Sequence, residues 1–309
     1  MNQNQIATDI PTGKLPFRMT SDILFKILMQ SSTKVLKGIV CSYLDLSPEI
    51  IKSIEISNPI SLKEDISGKE MILDVKAILN DKTIINLEMQ VVNYQDRPER
   101  SLSYLCRCFD NLGPGHGYLH VKGAVHIGFL DYTLFPDSPE FYATYRMINE
   151  RTGQLYSSKF RISVVDLTKR NLATEEDIAH HRDLWAAFFK ATEWGEVMAL
   201  AKKDKNISEA VVTLKKLSDD EIFKMRYQAR EDMLRQELDM QYYYTNQLNE
   251  KDAELADKDT ELAKQYAELT EQSAELARQA SELADKDAIL TEYKRLYGEL
   301  NISSTNQSK

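Results

Sequence analysis

The sequence predicts an α/β fold in which a central mixed β-sheet is flanked by helices and followed by a helical region and a C-terminal coiled coil. Three observations predict this fold. Two apolar segments, 71–79 and 83–93, flank a short polar turn, which is typical of an antiparallel hairpin. Further strand patterns follow at about 124–135, 140–149 and 159–167. From Lys251 the chain repeats a seven-residue unit that carries one leucine each time.

Composition limits the class of protein. At 309 residues with 42% hydrophobic content, the chain is long enough for about two domains and a substantial core. A net charge of −9 argues against a protein that coats nucleic acid through bulk charge, so any contact with DNA must be local. The 3 cysteines form no CxxC pair, which indicates neither a disulfide framework nor a zinc site and favours a reducing cytoplasm.

The ends of the chain are polar and its apolar segments are short. The longest apolar run, Ala124 to Phe135, is interrupted by His126 and Asp131 and is too short to span a bilayer, so we expect no membrane association. The expected divisions are a flexible N-terminal tail, a sheet-containing domain, a helical region packed on it, the heptad-repeat coiled coil and a disordered end, at 1–19, 20–170, 171–250, 251–297 and 298–309.

An acidic pair lies in the central hairpin. Centring the turn on Asp81 places Asp74 opposite Glu88, with Cβ atoms about 5 Å apart, and Gln90 shares their face. Two neighbouring carboxylates in apolar strands repel each other unless a cation lies between them, and oxygen ligands at this spacing suit Mg²⁺. Strands solvated on one face also carry acids, so the residues alone leave both interpretations open.

Two helical segments carry further candidates. A helix capped by Thr20 or Ser21 places Asp22 in its first turn, where the helix dipole already favours an acid. Lys26 lies one turn later and can pair with Asp22 or with a phosphate. A later helix aligns Arg100, Tyr104 and Arg107 in one stripe, which suits either phosphate contacts or ordinary surface ion pairs and packing.

The order of these motifs resembles a known family. An Asp, a hairpin and a Glu-x-Gln resemble the PD-(D/E)XK nuclease core, in which an Asp on one strand and a Glu-x-Lys on the next bind the metal. The segment SDILFKILM, the helix with Arg100 and Tyr104, the pair Gly117-Tyr118 and the strand AVHIGFLDYTLF resemble the transposases of this family, which are related to recombination-promoting nucleases. The resemblance covers about Thr20 to Leu167, but Gln90 replaces the Lys and Leu73 replaces the Pro.

The resemblance implies a restriction-endonuclease-like core over 20–170 and a site for Mg²⁺ or Mn²⁺. Asp74, Glu88 and the backbone carbonyl of Met89 would hold the metal. Asp22 would support the site, and Lys26, Arg100 and Tyr104 would contact DNA. Gln90 can orient a water molecule but brings no charge, so we infer that Lys76, on the same face as Asp74, supplies the missing ammonium.

These features predict a metal-dependent DNA endonuclease that hydrolyses phosphodiester bonds and takes part in transposition or recombination of mobile DNA. The alternative is a catalytically weak or inactive protein of the nuclease fold, which acts as a DNA-binding or oligomeric scaffold. The replacement of the usual lysine by Gln90 keeps this alternative open.

The repeats near the C-terminus favour self-association. A stripe of leucines recurs every seven residues, at Leu255, Leu262, Leu269, Leu276, Leu283 and Leu290. This spacing is typical of a coiled coil and predicts a homo-oligomer. The companion positions are mixed, because they include Asp259 and Asp287, so a single solvated helix is the other interpretation.

Overall fold

The computed structural model describes residues 11–58, 74–80, 82–93 and 97–298. Within these ranges it contains six strands and eight α-helices. In chain order these are α1 (Asp22–Ser31), α2 (Thr33–Leu44), β1 (Ile54–Ile56), β2 (Val75–Leu79), β3 (Thr83–Gln90), α3 (Arg97–Phe109), β4 (Gly123–Leu130), β5 (Tyr142–Arg146), β6 (Phe160–Asp166), α4 (Glu175–Ala179), α5 (Arg182–Lys190), α6 (Trp194–Ala201), α7 (Lys205–Asp219) and α8 (Glu221–Tyr297). None of the described helices is both long enough and apolar enough to span a bilayer.

The strands form one mixed sheet in the order β1-β2-β3-β4-β6-β5. The pairs β1–β2, β2–β3 and β5–β6 are antiparallel, whereas β3–β4 and β4–β6 are parallel. Parallel neighbours require a crossover, and α3 supplies the one between β3 and β4. This sheet flanked by helices, with a long helix after it, confirms the predicted restriction-endonuclease-like fold class.

The two faces of the sheet are covered by different helices. The main core lies between the sheet and α1, α2 and α5 to α7, and its aromatic centre includes Phe129 of β4, which contacts Phe25, Tyr43 and Phe189. On the other face, α3 packs through Leu105 and buries a smaller apolar cluster. The face beside α3 therefore carries less apolar packing than the face of the main core.

The hairpin has the predicted register. Leu79 pairs with Thr83 and Val75 pairs with Leu87, so Asp74, one residue before β2, is placed opposite Glu88. Asn80 begins the turn with a positive φ of 50°, a conformation that asparagine tolerates. The expected start of β2 at residues 71–73 and the turn residue Asp81 lie outside the described residues.

The segment before α1 is partly packed, where the sequence predicts a flexible tail over residues 1–19. Phe17 and Met19 are buried, and the ring of Phe17 contacts Phe223 and Tyr227 at the start of α8. Their apolar side chains fill the space between α1 and the first turns of α8. Residues 1–10 lie outside the described residues.

The chain divides into two compact units, residues 1–236 and 237–309. The first contains the sheet, α1 to α7 and the start of α8, where Phe223 and Leu234 are buried. In the second unit the backbone is helical through Tyr297, and the heptad leucines are between 51% and 65% exposed. The predicted disordered end is residues 298–309, of which all but Gly298 lie outside the described residues.

Candidate active site

The acidic pair lies where β3 extends past the end of β2. The last described pair of this ladder is Val75 with Leu87, so Glu88 lies one residue beyond it, while β4 still pairs with β3 on the other side. Side chains alternate along β3, which places Asn86, Glu88 and Gln90 on the face beside α3 and Met89 in the main core. The site is therefore a row of polar side chains on the face of β3 beside α3, at the point where β2 ends.

Glu88 is almost completely buried and is held by three groups. Its Oε2 accepts a hydrogen bond of 2.7 Å from Arg97, and its Oε1 accepts one of 2.9 Å from Gln90. The guanidinium of Arg100 lies 3.3 Å from Oε1. Burial acts to raise the pKa of Glu88, but Arg97 and Arg100 outweigh it and the pKa lies below its ordinary value. Glu88 is therefore held as a carboxylate.

Asp74 has the opposite environment. Its Oδ1 is buried and has no hydrogen-bond partner among the residues that the structure describes. Burial raises the pKa of Asp74, the ammonium of Lys26 opposes this, and the charge of Glu88 adds to it. An acid that is buried beside a second carboxylate, with one free oxygen, is stabilised when a cation binds there.

Lys26 of α1 reaches this acid from the opposite face of the sheet. Its Nζ donates to the backbone carbonyl oxygen of Asp74, which also accepts a hydrogen bond of 3.1 Å from Asn58. Lys26 is fully buried, and burial lowers its pKa to about 8, although Asp74 opposes the shift. The site thus contains a buried ammonium that titrates near physiological pH.

Lys76 and Met89 occupy the positions that the strand pattern implies. Lys76 pairs with Asn86 across the hairpin and lies on the same face as Asp74. Its charge and that of Asp74 both reach Cys108 of α3, where burial raises the pKa of the thiol, Lys76 lowers it and Asp74 raises it. The side chain of Met89 packs in the main core, which leaves only its backbone for a role in the site.

Gln90 has both ends of its amide engaged. Its Nε2 donates to Glu88, and its Oε1 accepts a hydrogen bond of 3.0 Å from the hydroxyl of Tyr132. Gln90 therefore fixes the orientation of the Glu88 carboxylate. Because its side chain is an amide, it adds no charge to the site.

Two residues of the site, Arg97 and His126, are missed by the sequence reasoning. Arg97 is 2% exposed, and its guanidinium crosses β4 at Gly128, the residue paired with Glu88. A Cβ atom at Gly128 would lie 2.5 Å from Nη2 of Arg97, so a larger residue here would force the guanidinium to move. The signal in the sequence is the pair His126 and Gly128, two residues apart in an apolar strand. Alternation along the strand places both on the same buried face.

His126 lies beneath Glu88. Its Nδ1 is 3.1 Å from Nδ2 of Asn86, so Nδ1 accepts and the ring proton is assigned to Nε2. Nε2 lies 3.9 Å from Oε2 of Glu88 and has no hydrogen-bond partner in the part of the chain that the structure describes. Burial lowers the pKa of His126 to about 4, Arg97 acts in the same direction, and the ring is neutral at physiological pH.

Of the remaining predicted residues, Asp22 pairs with a residue of α8, whereas Arg100 and Tyr104 lie on α3 beside the acidic pair. Oδ2 of Asp22 accepts hydrogen bonds of 2.7 and 3.0 Å from Nη2 and Nε of Arg230 in α8, so this carboxylate already has an ion-pair partner outside the acidic pair. Arg100 does reach Glu88 and also lies 5.3 Å from the ring centre of Tyr104. Arg107 lies 5.9 Å from the same ring, which extends the stripe of cations along α3.

The donor set fits a hard divalent cation. Two buried oxygens of this site, Oδ1 of Asp74 and Oδ1 of Asn86, have no hydrogen-bond partner within the described ranges, whereas Nε2 of His126 carries the ring proton and is no ligand. Two carboxylates with a further oxygen donor are the ligands that Mg²⁺ prefers. Within the described ranges, another cluster of metal-capable groups is formed by Asp45, Glu176 and His180, but the guanidinium of Arg182 already pairs with its carboxylates.

Comparison with known proteins gives one family. A family model described as PD-(D/E)XK nuclease family transposase matches residues 19–247. The match includes the whole sheet, the acidic pair and the first turns of α8. No curated protein and no solved structure shows a significant match to the chain.

Proposed function

Because the chain belongs to the PD-(D/E)XK nuclease family of transposases, we propose that it is a metal-dependent DNA endonuclease that acts on mobile DNA in transposition or recombination. Asp74 and Glu88 are its central residues. The observation that carries the proposal is the Oδ1 of Asp74, a buried atom with no hydrogen-bond partner in the described part of the chain, opposite the buried carboxylate of Glu88. Such a pair is costly in a folded protein unless a cation binds it.

In this proposal Asp74, Glu88 and the backbone carbonyl of Met89 would hold Mg²⁺ or Mn²⁺. When bound, such a metal polarises the phosphodiester and lowers the pKa of the attacking water. The protein itself keeps Glu88 ionised through Arg97 and fixes its orientation through Gln90. Each group is in place before DNA arrives, so no reorganisation is needed during the reaction.

Lys26 is the first candidate for the ammonium that Gln90 does not provide. Its contact with the Asp74 carbonyl supports a position beside the scissile phosphate, where a positive charge stabilises the transition state. Lys76 lies on the face of Asp74 and is the second candidate. Cleavage that survives Lys76→Ala and fails in Lys26→Met would assign the role to Lys26, and the reverse result would assign it to Lys76.

DNA would approach along α3. Arg100 joins the acidic pair to the exposed surface, and Tyr104 and Arg107 continue the stripe. Guanidinium groups in this position can contact the phosphates on either side of the cut. We also propose that the exposed leucine stripe of α8 makes the protein a homo-oligomer, because a second copy would cover these side chains.

A second function has its own observation. Both carboxylate oxygens of Glu88 already accept hydrogen bonds from protein groups, and position 90 carries no charge. A protein with this arrangement can bind DNA without cutting it and serve as an oligomeric scaffold.

The test is cleavage of supercoiled plasmid with Mg²⁺, Mn²⁺ or EDTA. We compare the wild type with the isosteric variants Asp74→Asn and Glu88→Gln, and Glu99→Gln, an exposed acid of α3, serves as the matched control. Metal-dependent nicking that both site variants abolish and the control retains would support the endonuclease. Cleavage that survives both variants, or no cleavage with either metal, would contradict it and favour the scaffold.

A further inference from the structure

The loop that joins α3 to β4, residues 110–122, presents two apolar side chains to solvent. Tyr118 is 88% exposed and Leu119 is 93% exposed, the two highest values among the large hydrophobic residues that the structure describes. Neighbouring apolar side chains with so little protein contact add nothing to the core, which suggests a role in binding.

This loop is closed at its base. The side chain of Asn111 accepts a hydrogen bond of 3.0 Å from the backbone N–H of Lys122 and donates one of 3.3 Å to the carbonyl of Lys122. Nζ of Lys159 donates to the carbonyl of Val121 at 2.8 Å. A short 3₁₀ turn, Tyr118–His120, forms the tip. The tip is therefore fixed before binding, which reduces the entropy lost on association.

The surroundings of the loop are basic, although the chain carries a net charge of −9. Lys122 and Lys159 lie at the base of the loop, and Lys82 adjoins it, because its carbonyl accepts a hydrogen bond of 2.8 Å from Gly123. Asp110 is the one acid among residues 110–122. Positive charge around an apolar tip complements a nucleic acid, which offers phosphates outside and base faces inside.

The loop lies at the far end of the strand that carries Glu88. Thr83 pairs with Gly123 at the base of the loop, and Glu88 pairs with Gly128. These five steps along β3 span about 17 Å at roughly 3.3 Å per residue. That length corresponds to about five base pairs of duplex DNA. Between the two points, α3 carries the cations Arg100 and Arg107.

We propose that this loop is a second DNA contact, in which Leu119 enters a base step and Tyr118 stacks on an unstacked base about five base pairs from the scissile phosphate. The inference rests on the proposed action on DNA and adds a contact that bends or opens the duplex. Lys122 and Lys159 lie on the flanking phosphates. Apolar wedges of this kind act in the minor groove together with basic side chains.

The experiment uses the full chain and a duplex with 2-aminopurine at several positions, whose fluorescence rises when the base unstacks. In Mg²⁺ and in EDTA, the wild type should raise the fluorescence. Tyr118→Ala/Leu119→Ala should lose the rise and bind about tenfold more weakly, since stacking on an aromatic ring contributes about this much. Its salt dependence should stay the same, whereas Lys122→Ala should reduce the slope by about one.

The matched control is Tyr156→Ala/Leu172→Ala, which removes a tyrosine and a leucine that are 83% and 47% exposed and lie outside α8. It should bind and unstack DNA as the wild type does. Equal fluorescence and affinity for the loop variant and the wild type would overturn the proposal. A loop variant whose mass in solution changes while its DNA binding does not would assign the tip to a protein contact instead.

The outcomes separate this proposal from the nuclease itself. If the wild type binds and unstacks DNA but never cleaves it, the result supports the loop contact and contradicts the endonuclease. If the wild type and the loop variant cleave DNA at the same rate and bind it with equal affinity, the result supports the endonuclease and contradicts the loop contact. A wild type with no affinity for DNA overturns both.

Discussion

Replacement of Gly128 by alanine tests the geometry around Glu88. The new Cβ would lie 2.5 Å from Nη2 of Arg97, so the guanidinium has to move by about 1 Å to reach ordinary contact distance. That movement would break its bond to Oε2 of Glu88, now 2.7 Å long. A buried, charge-assisted hydrogen bond contributes about 1.5–3 kcal/mol, and separating a buried ion pair costs about 3–5 kcal/mol. We therefore expect Gly128→Ala to lower the free energy of unfolding by about 2–4 kcal/mol.

The assay is urea unfolding followed by tryptophan fluorescence. Both tryptophans of the chain, Trp185 and Trp194, are buried in the main core, so the signal reports this unit and not the tail. Gly123→Ala on the same strand is the control, because its Cβ would lie 3.4 Å from the nearest atom, Oγ1 of Thr83 on β3. In an Arg97→Ala background, Gly128→Ala should lose most of its effect. An equal loss of stability with and without Arg97 would refute the reasoning.

Three further predictions follow from buried charges and from the tail. Burial lowers the pKa of Lys26 from 10.5 to about 8, so the folded state releases this proton first and its stability should rise as pH increases through that interval. Lys26→Met should lack the rise, and identical pH profiles would contradict the burial. Burial raises the pKa of Asp177, but the hydrogen bond from Arg182 outweighs this and holds the pKa below the ordinary 3.8. The stability of the fold should therefore fall as pH drops from 3.8 through that lower pKa. Asp177→Asn should be less stable at neutral pH and should show a flatter acid profile in urea unfolding, whereas a profile as steep as that of the wild type would exclude this ion pair as the cause. Leu269→Asn/Leu276→Asn should lower the mass measured by analytical ultracentrifugation, and an unchanged mass would argue against the leucine stripe as the interface.

The features that the sequence predicts well depend on local chemistry. The turn at Asn80 and the alternation of β2 and β3 were enough to place Asp74 opposite Glu88, because a hairpin register follows from its turn. The mixed sheet with flanking helices was likewise predicted from short strand and helix patterns. The heptad spacing predicts one leucine stripe along a helix, and the described helix is continuous through it, while self-association through that stripe stays a prediction.

The contacts that the sequence could not predict join distant segments. Asp22 was expected to support the acidic pair, but its partner Arg230 lies 208 positions later in the chain. Arg97 stands three positions before Arg100 and carries no signal of its own, since only the fold brings Gly128 beneath its guanidinium. The reach of Lys26 through the edge of the sheet depends on how α1 packs, which no local pattern encodes.

The contact between the first and last segments of the core unit also determines when the N-terminal segment can pack during synthesis. Phe17, Arg18 and Asp22 are covered by Phe223, Glu231 and Arg230. On a ribosome that adds about 5–20 residues per second, the 208 residues between Asp22 and Arg230 take about 10–40 s. Until then Asp22 at the start of α1 lacks its partner. The nascent chain therefore completes the packing around the start of α1 only after the first turns of α8 have left the ribosome.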